Sequence, residues 1–176
     1  VKLNSADFMK GGFNEEDSLT VIKALELEGV DILEISGGTY ESPRVFGQGV
    51  GGKVSTLKKS TVDREAYFLD FAKKARAATN MPLVVTGGFR TTKGMNTALE
   101  SGDLDLVGLG RPMTLDADLP NKAMKDESFD ASFEDPGTGI HMINRMTGIS
   151  IMWFEEQILR IAQDKSPDPN LSAWKV

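Results

Sequence analysis

The sequence predicts an α/β fold of parallel strand–helix units, and three observations carry the prediction. Short apolar runs recur along the first two thirds of the chain, at residues 30–36, 81–85 and 104–109. Each is followed by a turn and then by a stretch with helical spacing, so strands and helices alternate. Two of the runs also end in corners stripped of side chains, Gly87-Gly88 and Gly108-Leu109-Gly110.

The elements follow in order. A strand over residues 1–4 opens the chain, and a loop runs from Asp7 to Gly12. Asn14 is placed to cap a helix over 15–28, in which Leu19, Ile22, Leu25 and Leu27 fall near helical spacing. Gly29 suits the left-handed position beyond its end. The second strand, 30–36, stops at Gly37-Gly38, and a glycine-rich loop continues to about Ser60; loops of such length are often functional. Asp63 reads as the cap of a second helix with Ala66, Phe68, Leu69, Phe71, Ala72 and Ala75 as its apolar set, ending near Thr79-Asn80. The third strand, 81–85, enters through Pro82. A short helix over 92–100 and the turn Ser101-Gly102-Asp103 lead to the fourth strand, 104–109. Beyond Pro112 the rhythm fades into an acidic stretch over 114–135, and Pro136-Gly137-Thr138-Gly139 breaks the chain. A last amphipathic helix spans 149–163, with Ile151, Phe154, Ile158 and Ile161 near one face, and 166–170 reads as a loop or a loose terminus.

Composition narrows the function classes. The 176 residues carry a net charge of −6 with scattered basic residues, which disfavours nucleic acid as a partner. Cysteine is absent, so the described chemistry includes no disulfide and no thiolate metal site. The longest apolar stretches fall far short of the roughly 20 residues that cross a bilayer, and no secretory signal pattern occurs. The expectation is a cytoplasmic protein with no membrane partner. The patterns HExxH, CxxC and the EF-hand loop are absent as well, and no metal site is expected.

The two bare corners are the candidate site. Adjacent strand-to-helix turns without side chains let backbone N–H groups converge on one anion, and an eight-stranded α/β barrel has a phosphate site of that kind after its seventh and eighth strands. A complete barrel usually needs about 250 residues. The chain therefore reads as part of one: residues 1–120 as half of a (β/α)8 barrel and 121–176 as a C-terminal extension with a terminal helix.

At these residues the chain resembles the old yellow enzyme family of FMN-dependent NAD(P)H oxidoreductases and ene-reductases. The resemblance is carried by residues 1–8, by 29–40 with Val30-Asp31-Ile32-Leu33-Glu34-Ile35-Ser36-Gly37-Gly38, by Arg64-Glu65-Ala66-Tyr67-Phe68, by 82–90 and by 105–112. It implies that the four strands are strands five to eight, the C-terminal half of a TIM barrel that binds FMN. It further implies a flavin enzyme that takes electrons from NADH or NADPH and reduces activated alkenes such as α,β-unsaturated carbonyl compounds. By the same resemblance Lys2 approaches the N1/O2 edge of the flavin, where negative charge develops on reduction. Many relatives have arginine there, and lysine keeps the charge while losing the planar fork. Gly87 and Gly88 match backbone donors on one side of the FMN phosphate, and Gly110 and Arg111 those on the other. Ser36 to Tyr40 would lie near the flavin or the substrate entrance.

The family's substrate-polarising pair and proton donor belong to strands one to four and have no counterpart here. His141, the single histidine, follows the fourth strand and does not correspond to that pair. No catalytic residue is assigned, and the resemblance implies a partner in a missing N-terminal half-barrel or a second copy. Blander readings stand beside this one. The glycines can serve turn chemistry alone, Lys2 can be a solvated strand end, and Arg111 a surface ion-pair residue. A sugar-phosphate aldolase or isomerase barrel fits the corners equally well, with Lys2 as a Schiff-base candidate, and an inactive half-barrel serving as an assembly module is the third reading.

Overall fold

The computed structural model describes residues 1–7, 10–36, 57–134, 136–140, 142–144 and 148–176, with the backbone alone over 57–67. By compactness the chain divides into two units, Val1–Leu109 and Gly110–Val176. The boundary expected near residue 120 marks where the family resemblance ends, a different criterion.

The first unit is a sheet of four parallel strands in the order β1-β2-β3-β4: β1 Lys2–Asn4, β2 Leu33–Ser36, β3 Leu83–Thr86 and β4 Leu106–Gly108. Sequential strands lie side by side, as right-handed crossovers through single helices produce. Strands β1, β2 and β4 lie inside the runs read from the sequence, whereas β3 starts two residues into its run and continues one residue beyond it, to Thr86.

Three helices connect them. Helix α1 (Glu15–Leu27) starts from a complete capping box: the Asn14 Oδ1 accepts from the N–H groups of Glu16 at 2.8 Å and Asp17 at 3.1 Å, and the Asn14 N–H donates to the Asp17 carboxylate at 3.2 Å. Glu15, Glu16 and Asp17 put negative charge at the positive end of the helix dipole. Gly29 follows at φ +77°, as expected. Helix α2 (Leu57–Ala78) begins six residues before the expected cap, so Asp63 lies inside the helix rather than at its start. Helix α3 (Thr92–Glu100) has the expected bounds and is capped by the Thr91 hydroxyl, which accepts from the Gly94 N–H at 3.1 Å.

Period-two alternation sorts the strand residues onto two faces. Leu33, Ile35, Leu83 and Val85, each at most 1% exposed, point to the helix side, where α2 packs on β2 and β3 with Phe68, Phe71, Ala72 and Ala75 buried. Each large side chain sequestered in this way contributes roughly 1.5–3 kcal/mol. The other face is polar at its upper end: Lys2 and Glu34 share a register row, and Asn4 and Ser36 pair two residues further along.

At the strands' N-terminal ends Arg76 acts as a clamp. It donates to the carbonyls of Thr79 and Met81 and to the Asp105 carboxylate at 3.0 Å, while that carboxylate accepts from the Leu83 N–H at 2.8 Å. Conserving shape at this end is a matter of stability rather than catalysis in barrel proteins.

The second unit contains α4 (Arg111–Leu115), α5 (Leu119–Lys125), α6 (Ile149–Ala162) and a single 3-10 turn at Ala173–Lys175. Helices α4 and α5 fill what the sequence suggested was irregular, each with a proline in its first turn, where the missing N–H costs nothing. Helix α6 buries Ile149, Trp153, Phe154 and Gln157. Of the face expected from the sequence only Phe154 is buried; Ile158 and Ile161 are exposed. The terminal segment is tied down rather than loose. The Gln157 amide, fully buried, accepts from the Asp168 N–H at 2.7 Å and donates to its carbonyl at 3.1 Å, and the Trp153 indole N–H donates to the Leu171 carbonyl at 2.7 Å. Among the described residues no helix is long and apolar enough to cross a membrane.

Candidate functional site

The sheet's polar face holds a connected set of charged and hydroxyl groups. The Lys2 ammonium donates to the Glu34 carboxylate at 2.7 Å, and the same oxygen accepts from the Thr86 hydroxyl at 2.7 Å. Three consecutive strands thus contribute one group each. Burial, the largest single influence on Glu34, opposes its ionisation, but the hydrogen bonds from Lys2 and Thr86 together with the Lys2 charge outweigh it and hold the carboxyl below its ordinary range. Lys2 stays largely solvated and Glu34 about one-third exposed, so the pair is open to a ligand as well as to water.

Beside Asn4 the loop after β1 is fixed through Asp7, whose carboxylate accepts from the Asn4 amide at 3.1 Å and from the Phe13 N–H at 3.1 Å. The Ser18 hydroxyl of α1 donates to the Asn4 carbonyl at 2.9 Å.

Gly87 and Gly88 follow directly from Thr86 and have φ of +141° and +86°, a region side-chain-bearing residues avoid. A Cβ on Gly87 would also stand 2.7 Å from the Phe68 ring. Phe89, 1% exposed, then anchors the corner in the core before Thr91 caps α3. The pairing of Thr86 with Gly108 sets this corner next to the C-terminal end of β4, the end at which barrel enzymes carry their chemistry.

Gly110 and Arg111 open the second unit. Gly110 has negative φ, and no described atom lies within 4 Å of where its Cβ would stand. Space rather than internal packing is what its missing side chain leaves. The Arg111 guanidinium carbon sits 6.0 Å from the Phe133 ring centroid and 5.9 Å from that of Phe154, within cation–π range of both. The two rings meet edge to face with centroids 5.5 Å apart.

Of the residues singled out from the sequence, the structure thus places Lys2 and the Gly87-Gly88 corner on one sheet, and Gly110 with Arg111 at the start of the second unit. Gly37 to Tyr40 and His141 lie outside the described residues. Sequence reasoning missed Glu34 and Thr86 as partners of Lys2. Their signal was the two-residue alternation that puts Lys2, Glu34 and Thr86 on one face.

Comparison with known proteins gives the class first. No family model matches the chain. Among solved structures, a 2-naphthoyl-CoA reductase in complex with 2-naphthoyl-CoA matches with a TM-score of 0.57 and 24% identity, covering 70% of this chain and 17% of that one. The first unit is accordingly an α/β fold of parallel strand–helix units, consistent with half of a (β/α)8 barrel. The NADH-dependent flavin oxidoreductase iliE of Neonectria sp. (strain DH2) is 35% identical over 139 residues, which is 77% of this chain and 18% of that protein. The NADH-dependent flavin oxidoreductase iccE of Talaromyces variabilis is 38% identical over 114 residues, 62% of this chain and 27% of that protein. The chain is similar to these NADH-dependent flavin oxidoreductases, which is consistent with the old yellow enzyme family that its sequence resembles. It spans about a quarter or less of the length of these two relatives.

Proposed function

We propose that the chain is the cofactor-gripping half of an FMN-dependent oxidoreductase that uses NADH or NADPH to reduce activated alkenes. The observation that carries the reading is the Lys2 ammonium, pinned by Glu34 on the sheet's polar face, with the Gly87-Gly88 corner following Thr86 on the same sheet. The names of the relatives support a flavin and NADH; FMN, the alkene and a cytoplasmic setting are our reading, the last supported by a chain without cysteine.

The residues present fit such a cofactor. Lys2 supplies fixed positive charge on a face that no helix covers among the described residues, and Gly110 leaves open the space a side chain would fill. When bound, the flavin supplies hydride transfer between the nicotinamide and the substrate alkene. Lys2 stabilises negative charge at the pyrimidine edge of the ring. Gly87 and Gly88 offer backbone N–H groups to the phosphate, and the start of the second unit, taken by itself, offers an anion the Gly110 N–H and the Arg111 guanidinium. Polarisation of the substrate and its proton fall to a complementary half-barrel, from the same polypeptide or from a second copy. The Schiff-base alternative finds no support in the names of the relatives, which are those of flavin oxidoreductases.

Titrating FMN and riboflavin, in parallel, into the chain alone and with the complementary half tests the reading. FMN binds more tightly than riboflavin, Arg111→Ala removes most of that difference, and Lys2→Met weakens both. Failure of either flavin to bind in both preparations would overturn it.

A further inference from the structure

Glu34 has so far figured only as the anchor of Lys2, yet it is the hub of the polar face. One of its carboxylate oxygens accepts two bonds of 2.7 Å, from the Lys2 ammonium on β1 and from the Thr86 hydroxyl on β3. Lys2 has a long flexible arm and a compact charge, so its direction is set by whatever holds its end. Thr86 is short and β-branched, which restricts its rotamers, and it fixes Glu34 from the far side. The lysine is thereby held by a carboxylate that is itself held. A carboxylate beside the ammonium also lowers the net positive charge the pair presents.

We propose that Glu34 is a positioning residue: with Thr86 it aims the Lys2 ammonium across the sheet's polar face and sets how much positive charge reaches a flavin's pyrimidine edge. The inference rests on the flavin reading for its second half, whereas the aiming of Lys2 does not need the cofactor. An arginine at the Lys2 position would keep a rigid planar fork while pairing with a carboxylate; the lysine ammonium keeps further donors but no fixed plane, so here the carboxylate governs both direction and net charge.

The first test needs no cofactor. The full chain is acetylated with a limiting amine-reactive ester at fixed pH, and labelling of Lys2 is compared by peptide mass spectrometry with that of the exposed Lys23 on α1. Glu34→Gln raises the Lys2 to Lys23 ratio about two- to fivefold, the range expected on loss of a solvent-exposed ion pair. Glu34→Asp, which keeps the charge on a shorter arm, gives a smaller rise, and Thr86→Val a rise in the same direction. An unchanged ratio in all three variants overturns the proposal. The second test loads wild type and variants with FMN and measures the midpoint potential, which Glu34→Gln shifts to more positive values and Glu34→Asp largely restores. A wild type that takes up no flavin defeats the functional reading, and the labelling ratio still decides whether Glu34 holds Lys2. A loaded wild type whose potential Glu34→Gln leaves in place overturns the inference while the functional reading stands.

Discussion

Gly108 on β4 has no side chain because Thr86 on β3 occupies the place where one would be. The two residues pair in register, and a Cβ on Gly108 would collide with the Thr86 hydroxyl oxygen while standing 2.9 Å from its Cβ and 3.2 Å from its Cα. Rotating the hydroxyl aside relieves only part of this, and it breaks the 2.7 Å bond to Glu34. Gly108→Ala therefore destabilises the chain by about 1–3 kcal/mol, the usual range for overpacking. Urea unfolding measures the loss. The same substitution in a Thr86→Ala background costs less, because residues in contact do not add; equal losses in both backgrounds would refute the steric account.

The carboxyl of Glu34 gives the fold a pH dependence of known sign. Its folded-state value lies below the ordinary 4.5, so the unfolded chain binds the proton more readily. The stabilisation is present above about pH 4.5 and is lost as pH falls through the lower, folded-state value. Because the pair is partly solvated, the effect is modest and weakens with salt. Urea midpoints taken between neutral and acid pH fall less steeply in Glu34→Gln than in wild type. Parallel curves would mean that Glu34 does not contribute.

What could be read from the sequence follows from which interactions are local. The four strands, α1 and α3 were legible because alternation, Asn14 and a Gly at position 29 act within a few residues. The early start of α2 was not, since Asp63 is a good cap in isolation and the helix runs through it. The buried face of α6 was misread for a related reason. Ile151, Ile158 and Ile161 are as apolar as Ile149 and Trp153, and what selects between the two stripes is the distant tail that supplies Leu171 and Ala173. Within the site, Lys2 and the glycines were visible as motif residues. Glu34 became visible only once strand register set it opposite Lys2.

Asn14 makes the entry to α1 a test of purely local chemistry. Its side chain satisfies the N–H groups of Glu16 and Asp17, and its own N–H is satisfied in return by Asp17. Asn14→Ala strands these donors and costs about 1 kcal/mol. Asn14→Ser retains a cap and costs less than half of that in thermal or urea unfolding. If serine proves as harmful as alanine, the box is not what starts the helix.

Gln157 controls the C-terminal segment through two bonds to one residue. The Asp168 N–H and carbonyl both meet its buried amide, at 2.7 and 3.1 Å, and one turn earlier Trp153 holds the Leu171 carbonyl. Gln157→Leu roughly keeps the volume but leaves the Asp168 N–H without its protein partner, while the Asp168 carbonyl keeps only the Leu171 N–H at 3.1 Å, a loss of about 1–3 kcal/mol. The segment between α6 and the 3-10 turn then opens more often, and trypsin cuts after Lys165, an exposed residue at its start, several times faster than in wild type. Gln157→Glu separates the two bonds: it still accepts from the Asp168 N–H but faces the carbonyl with oxygen in place of a donor, so its cleavage rate falls between those of wild type and Gln157→Leu at a pH that half-protonates it, and rises as the carboxylate forms. A Gln157→Leu protein cut no faster than wild type would show that Leu171 and Ala173, packed against Trp153 and Phe154, hold the tail without help from the amide.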